Sequence, residues 1–404
     1  MLIYNYFPNI TGGAERQCRL QAQELVRTGY RCIVLTARIR CKDDCKENDF
    51  GCEIIRIPVV QPLVDMFLSL KEIWKKSVTD AKETTVEKEN TDVKAGTQKG
   101  ILAISVQWLN TLTFMFGAFW FLYRNKNTID VIHTHIASWN AGFAGWVGSL
   151  LNIPAICKAA YLPPFHDFGN SIPFADKWRE WRKRIHYIAL LPEMAKNLYE
   201  QGVPEEYIHL IPNGVSIPVD SSLVEFNTSV LYVGNFSQGS GHKGFDVLLK
   251  AWSILCRELP DSQLVIAGGG EKSPWEEMAR ELGCYDSIEF LGYVQNTETL
   301  YKRAGLFVLP SRGEGMSNAL LEAQSYGIPS VVTDIPGNRE IVIDQKTGII
   351  VPVDDHKQFS DAIVKLITNK VVRVKMGTAA RENTKQKYSI EKVVEQVKEI
   401  YCRI

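Results

Sequence analysis

Short runs rich in β-branched and aliphatic residues punctuate the first half of the chain: "MLIYNYF", "RCIVLTAR", "EIIRIPVV", "DVIHTH" and "IHLIPNG". Between them the apolar positions recur at helical spacing. The second half repeats the cadence with "VLYVGNF", "QLVIAGGG", "SIEFLGYV", "GLFVLPS" and "PSVVTD". Strands alternating with helical segments predict parallel sheets flanked by helices, and two such series predict two doubly wound α/β domains. The break falls after "IPNGVSIP", where "VDSSLVEFNTS" has turn residues and little periodicity, so a hinge is expected near residues 214–228. The first domain is accordingly placed at 1–218 and the second at 224–383, with a final helix over 384–404 packing back on the first.

Two stretches depart from the cadence. Residues 78–100 are polar, charged and almost free of large aliphatics, the composition of a mobile loop. Residues 101–123, "ILAISVQWLNTLTFMFGAFWFLY", carry no charge and are long enough for the ~20 residues that span a bilayer. A crossing there would divide the first sheet between two compartments, which argues against it. On a helical wheel Gln107, Asn110, Thr111, Thr113, Gly117 and Ala118 share one half and the other half is almost wholly apolar. A helix lying in a membrane interface and a helix buried in its domain both fit, because periodicity does not distinguish lipid from protein as the apolar partner.

With 404 residues and 45% hydrophobic content, the chain is sufficient for two ordinary cores. Lysine plus arginine equal aspartate plus glutamate at 46 each, so no global charge favours nucleic acid as a partner. Nine cysteines without a C-x-x-C pair suit a reduced compartment, with Cys41, Cys45 and Cys52 expected as free thiols in a surface insertion. The start lacks a basic region followed by a long apolar one, so a cytoplasmic protein without a cleavable signal is expected.

Four loops hold candidate chemistry. "NITGGAERQ" sets Gly12 and Gly13 before a helix start whose N–H groups face an anion, although a Gly-Gly turn is more often only a turn. "DVIHTH" ends a strand with His133 and His135 on one side by the two-residue period, and chemistry is expected of one of them. "GSGHKG" places Lys243 at the end of a glycine-rich loop without matching a P-loop. "SRGEGMSNALLEA" follows a strand and opens a helix capped by Ser317 or Asn318, with Glu314 in the loop and Glu322 about a turn inside. A carboxylate at Glu322 can accept both protons of a vicinal diol.

These motifs, with "IPNGV", "LVIAGGG", "FLGYV" and "GIPSVVTD" in order, resemble glycosyltransferase family 4, the retaining nucleotide-sugar transferases. The family's E-x7-E signature matches Glu314 and Glu322, and the likeness covers nearly the whole chain. It implies a GT-B fold, two Rossmann-like domains facing a cleft. It implies that Gly13 approaches the donor diphosphate, Lys243 neutralises it, and the amides of Gly315 and Met316, beside Ser317, contact the donor. Glu314 would hold sugar hydroxyls, Glu322 the ribose, and the backbone of Tyr293 and Val294 the base. His135 matches the histidine near the transferred sugar and acceptor.

Many relatives have an arginine where Asn235 stands, leaving Lys243 as one fixed charge in place of two, with Arg312 a candidate to compensate. The small polar residue usual before "PEMAKNL" is Leu191, and few residues precede "FPN". No D-x-D metal motif is present, so a metal-free, cofactor-free hexosyl transfer from a UDP- or GDP-sugar to a hydroxyl is expected. "WREWRKRIH" at 178–186 interleaves tryptophan with arginine and lysine and, with 101–123, suggests a lipid-linked glycan acceptor at a membrane surface; a solvated basic helix with inward tryptophans fits equally. A GT-B nucleotide-sugar epimerase and a non-catalytic sugar-nucleotide-binding subunit are the alternatives.

Overall fold

The computed structural model describes residues 1–6, 12–40, 42–62, 92–160, 175–219, 229–236 and 241–404. Two compact units divide it, one comprising 1–157 with 167–185, the other 158–166 with 186–404. Parts of two expected segments, the loop at 78–91 and the hinge at 220–228, lie outside the described residues, as does Cys41.

The first unit runs α1 (Gly13–Arg27), β1 (Ile33–Arg38), β2 (Lys46–Asp49), β3 (Cys52–Pro58), α2 (Asp92–Asn125), β4 (Ile132–His135), α3 (Trp139–Leu151), β5 (Ala155–Lys158) and α4 (Ala175–Arg182). Residues 1–4 form a short central segment. Leu2 bridges Leu35 on one side and Thr134 on the other, both in parallel, and β3 pairs in parallel beyond β1. The β2–β3 hairpin corrects one expectation. Its turn is Phe50 and Gly51, both at positive φ, and Cys52 is buried at the start of β3 with its Sγ on the Cys32 carbonyl, so only Cys45 of the described pair is a surface thiol. A second correction concerns the polar stretch: α2 begins at Asp92, so residues 92–100 are helical where a loop was expected.

The second unit opens with β6 (His186–Ala189), α5 (Pro192–Glu200) and β7 (Ile208–Leu210). Leu191 stands at the N-cap of α5 without a side-chain bond, and Pro192 at the first helical position sets the turn instead. There follow β8 (Val230–Val233), α6 (Phe245–Glu258), β9 (Leu264–Ala267), α7 (Ser273–Glu281), β10 (Ile288–Gly292), α8 (Glu298–Arg303) and β11 (Leu306–Leu309). The chain closes with α9 (Asn318–Ser325), β12 (Ser330–Thr333), α10 (Pro336–Ile341), β13 (Gly348–Val351), α11 (His356–Thr368), α12 (Lys370–Tyr388) and α13 (Ile390–Tyr401). Ser389 breaks the last two helices apart where Val215 pairs with both flanks, its N–H on the Tyr388 carbonyl and its carbonyl on the Ile390 N–H.

Strands β8 to β13 form one parallel sheet in the order β10-β9-β8-β11-β12-β13. The central strands are apolar runs buried on both faces, as helices on both sides require: β8, β11 and β12 bury Val230, Leu231, Phe307, Val308, Val331 and Val332 completely or nearly so. The chain first winds outward from β8 to β10, then returns to β8's other side as β11. That reversal is the topological switch point, where loops leaving the strands' carboxyl ends diverge and leave a crevice.

Candidate active site

The loops leaving β8 and β11 at the switch point are "GNF" and "SRGEG". Glu314 lies in the second, and Lys243, at the end of a short 3-10 turn over Gly241–Lys243, donates from Nζ to its Oε1 at 2.5 Å. Ser311 Oγ donates to the same oxygen at 3.0 Å. Gly244, next to the lysine, has φ +63°, and a Cβ there would fall 1.9 Å from the Pro310 carbonyl oxygen. Only glycine lets the lysine loop close on the β11 loop in this way. Both partners are largely shielded, Lys243 at 22% and Glu314 at 12% side-chain exposure. Burial, and then the charge of Glu314, pushes the Tyr232 phenol far up, so it stays protonated beside them.

Arg312, a candidate to reach the donor, makes several contacts within the protein. Its Nη1 and Nη2 form a fork on Asp246 at 2.8 and 2.9 Å, Nε bonds Asp354 at 2.7 Å, and Nη1 also donates to the Gly241 carbonyl at 2.7 Å. The Arg312 N–H donates to the His242 carbonyl at 2.6 Å. The guanidinium holds Asp246 below the usual carboxylate range, mainly through these hydrogen bonds. Arg312 therefore fastens the Lys243 loop to the Glu314 loop. Asn235, where an arginine was missed, accepts the Gly269 N–H on Oδ1 at 3.2 Å and joins the β8 and β9 loops.

The helix behind Glu314 starts where the sequence allowed two choices, and Ser317 is the cap, accepting from the Leu320 N–H. Met316 is held by Asn213 of the "IPNG" motif: the Asn213 N–H meets Met316 Sδ at 3.2 Å, and its Nδ2 donates to the Met316 carbonyl and to Asn318 Oδ1, each at 3.1 Å. Glu322 lies in the second turn of α9, 7% exposed. Tyr293 and Val294 follow the carboxyl end of β10, Tyr293 being exposed. The second unit thus brings together Lys243, Glu314, Gly315, Met316, Ser317, Glu322 and Arg312. Sequence reasoning passed over Asn213 and Asp246. The first was visible within a quoted motif, whereas nothing local marks the second, since its role depends on a residue 66 positions away.

In the first unit, β4 buries His133 and His135, and their rings stack with centroids 4.8 Å apart, on one side as the strand period requires. Ile136 follows at φ +75°, a conformation costing a β-branched residue on the order of 1–3 kcal/mol. Asn140 Nδ2 donates to the His135 carbonyl at 3.1 Å and holds this sharp exit from the strand. At α1 the N-cap is Gly12. Burial raises the Glu15 carboxyl above its usual range, opposed by hydrogen bonds from its own N–H and that of Gly12. At the helix start expected to face an anion beside Gly13, the Gly12 and Glu15 N–H groups thus meet the Glu15 carboxyl.

Residues 12–214 match the model of the glycosyl transferase 4-like domain, and residues 227–369 match that of glycosyl transferases group 1. An Escherichia coli relative, UDP-Gal:alpha-D-GlcNAc-diphosphoundecaprenol alpha-1,3-galactosyltransferase, is 32% identical over 68% of this chain and 76% of its own. An uncharacterised glycosyltransferase of Haemophilus influenzae is 28% identical over 53% of this chain, a match spanning 60% of that protein's length. HepE of Anabaena, solved in complex with UDP-glucose, superposes with a TM-score of 0.69 over 100% of this chain and 98% of that one, at 15% identity.

Proposed function

As the chain belongs to the group 1 and 4-like glycosyltransferases and is a glycosyltransferase of GT-B fold, we propose that it moves a hexosyl unit from a UDP- or GDP-sugar to a hydroxyl of a glycan or lipid-linked glycan, with retention of anomeric configuration. The observation that carries this reading is the convergence of Lys243, Glu314 and the start of α9 at the switch point of the second sheet. The named partners of two similar proteins, UDP-Gal and UDP-glucose, favour the uridine arm. The E. coli relative's diphosphoundecaprenol acceptor favours the lipid-linked one.

In this reading the donor diphosphate lies between Lys243 Nζ and the amides of Gly315 and Met316. As the bond from the anomeric carbon to the phosphate oxygen breaks, charge accumulating on that oxygen meets donors already in place, which is where electrostatic catalysis is strongest. The acceptor oxygen attacks from the same face, forming the new bond to the anomeric carbon, and its proton passes to the leaving phosphate. Lys243 and the amides supply the positive potential, so the step requires no metal ion. Lys243 already ion-paired to Glu314 is a preorganised arrangement: the lysine has three N–H donors and can keep the glutamate while reaching the phosphate. Glu314 then orients sugar hydroxyls, Glu322 takes the ribose diol, and His135 lies by the acceptor.

Lys243→Ala is expected to lower turnover of UDP-sugars by about 10²–10³-fold with an unchanged melting temperature. Steady-state assays across a panel of UDP- and GDP-sugars check it, and near-normal turnover would remove the lysine from the diphosphate. Glu322→Ala is expected to weaken donor binding by about ten-fold or more, as the loss of charge-assisted bonds worth ~1.5–3 kcal/mol implies. Calorimetric titration with UDP gives the answer, and an unaltered Kd would speak against the ribose role.

A further inference from the structure

Helix α2 buries one side and carries a second set of large apolar and aromatic side chains on its outer side. At roughly 100° per residue, Leu109, Leu112, Phe116, Trp120 and Tyr123 fall on one stripe. All five are exposed, Phe116 by 71% and Leu112 by 57%. The opposite side, Asn110, Thr111, Phe114, Ala118 and Leu122, is buried. Asn110 is held there by Gln61, accepting its N–H at 2.7 Å and donating to its Oε1 at 2.9 Å. Gly117 brings the helix close to β3, since a Cβ on it would lie 2.3 Å from Ile57 Cγ2. The buried side thus mixes Asn110 and Thr111 with Phe114, Ala118 and Leu122, while the outward stripe consists of large aliphatic and aromatic side chains. Each such side chain, about half exposed or more, forgoes part of the ~1.5–3 kcal/mol that full burial of a large apolar side chain brings. The five form a continuous strip about 20 Å long at ~1.5 Å per residue, which is unlike scattered surface hydrophobics.

The end of the strip indicates its occupant. Aliphatic and phenylalanine side chains give way to Trp120 and Tyr123, and cations lie over both rings, the Arg124 guanidinium 4.9 Å from the Trp120 centroid and Lys126 Nζ 5.4 Å from that of Tyr123. No acidic residue occurs between Ile101 and Ile129. Apolar residues, then amphipathic aromatics, then cations is the succession of environments from acyl chains to anionic headgroups. Among the described residues no helix is long and apolar enough to cross a membrane. The basic stretch at 178–186 contributes less than its composition suggests. Trp178 packs on Gly142 and Trp181 on Trp146, while Arg179 pairs with Asp176 and Lys183 with Glu180.

We propose that the outward stripe of α2 seats the chain on a membrane surface bearing anionic headgroups. For the acceptor this rests on the lipid-linked reading above; the seat itself does not require it. The test is co-sedimentation of the full chain with phosphatidylcholine vesicles, with and without phosphatidylglycerol. Binding is expected with phosphatidylglycerol and should fall at least ten-fold in Phe116→Asp. The pair Arg124→Ser and Lys126→Ser should lose the preference for the anionic vesicles. All variants should keep the wild-type melting temperature and UDP-sugar turnover. Wild-type protein left in the supernatant, or Phe116→Asp binding like wild type, would overturn the proposal. So would light scattering that shows a dimer dissociated by Phe116→Asp without vesicle binding, which would give the stripe to a second copy. Vesicle binding by a chain that neither binds nor turns over UDP-sugars would support the seat while refuting the donor reading, so the two fail separately.

Discussion

At the scale of single residues, Arg312 ties two loops of the candidate site together. Its fork on Asp246 and its bond to the Gly241 carbonyl fix where Lys243 stands. Lysine cannot reproduce a planar fork. Arg312→Lys is therefore expected to lower turnover by as much as ~10²-fold through misplacement of Lys243, with donor Kd changed less than in Glu322→Ala. Comparable losses of kcat and affinity would instead place Arg312 on the donor. The same pair has a pH signature. Asp246 is depressed below its ordinary 3.8 because Arg312 bonds its charged form. On acidification the unfolded chain takes up the proton first, so the pair's contribution is complete above the ordinary value and is lost as pH falls through the depressed one. The stability gap between wild type and Asp246→Asn, followed by denaturant titration, should close as pH drops below that range. Because Asp246 and Arg312 are partly exposed, the gap itself should be small.

Among the elements, α9 is the one on which the site depends most, and it is only eight residues long. A helix so short has little stability of its own. Its position comes from the Ser317 cap, the Asn213 clamp and burial of Leu320 and Leu321. Ser317→Ala should cost about 1 kcal/mol, read as a lowered melting temperature. The cap was legible in the sequence to within one position, because cap chemistry is local. The clamp was not, because Asn213 reaches it across 103 positions. The same contrast separates the Phe50–Gly51 turn from the burial of Cys52: a hairpin turn is a property of two residues, whereas a thiol's burial depends on what packs over it.

For the whole molecule, the surface seat predicts that binding to anionic vesicles weakens with salt but does not vanish. At about 1 M salt the screening length is ~3 Å, so the contribution of Arg124 and Lys126 fades while the apolar strip remains. Complete release by salt alone would show that the strip is not inserted. By itself the sequence determined the alternation of strands and helices, the α/β class, the loops carrying Glu314 and Lys243, and the strand that ends in His135, because period, turn chemistry and caps act over a few residues. The wheel even separated the two faces of α2. Only the tertiary structure decided which face turns inward, that Arg312 binds Asp246 and Asp354, and that β11 returns beside β8 to bring Lys243 onto Glu314. Those outcomes depend on which distant surfaces compete for the same contact, and no local pattern records the result of that competition.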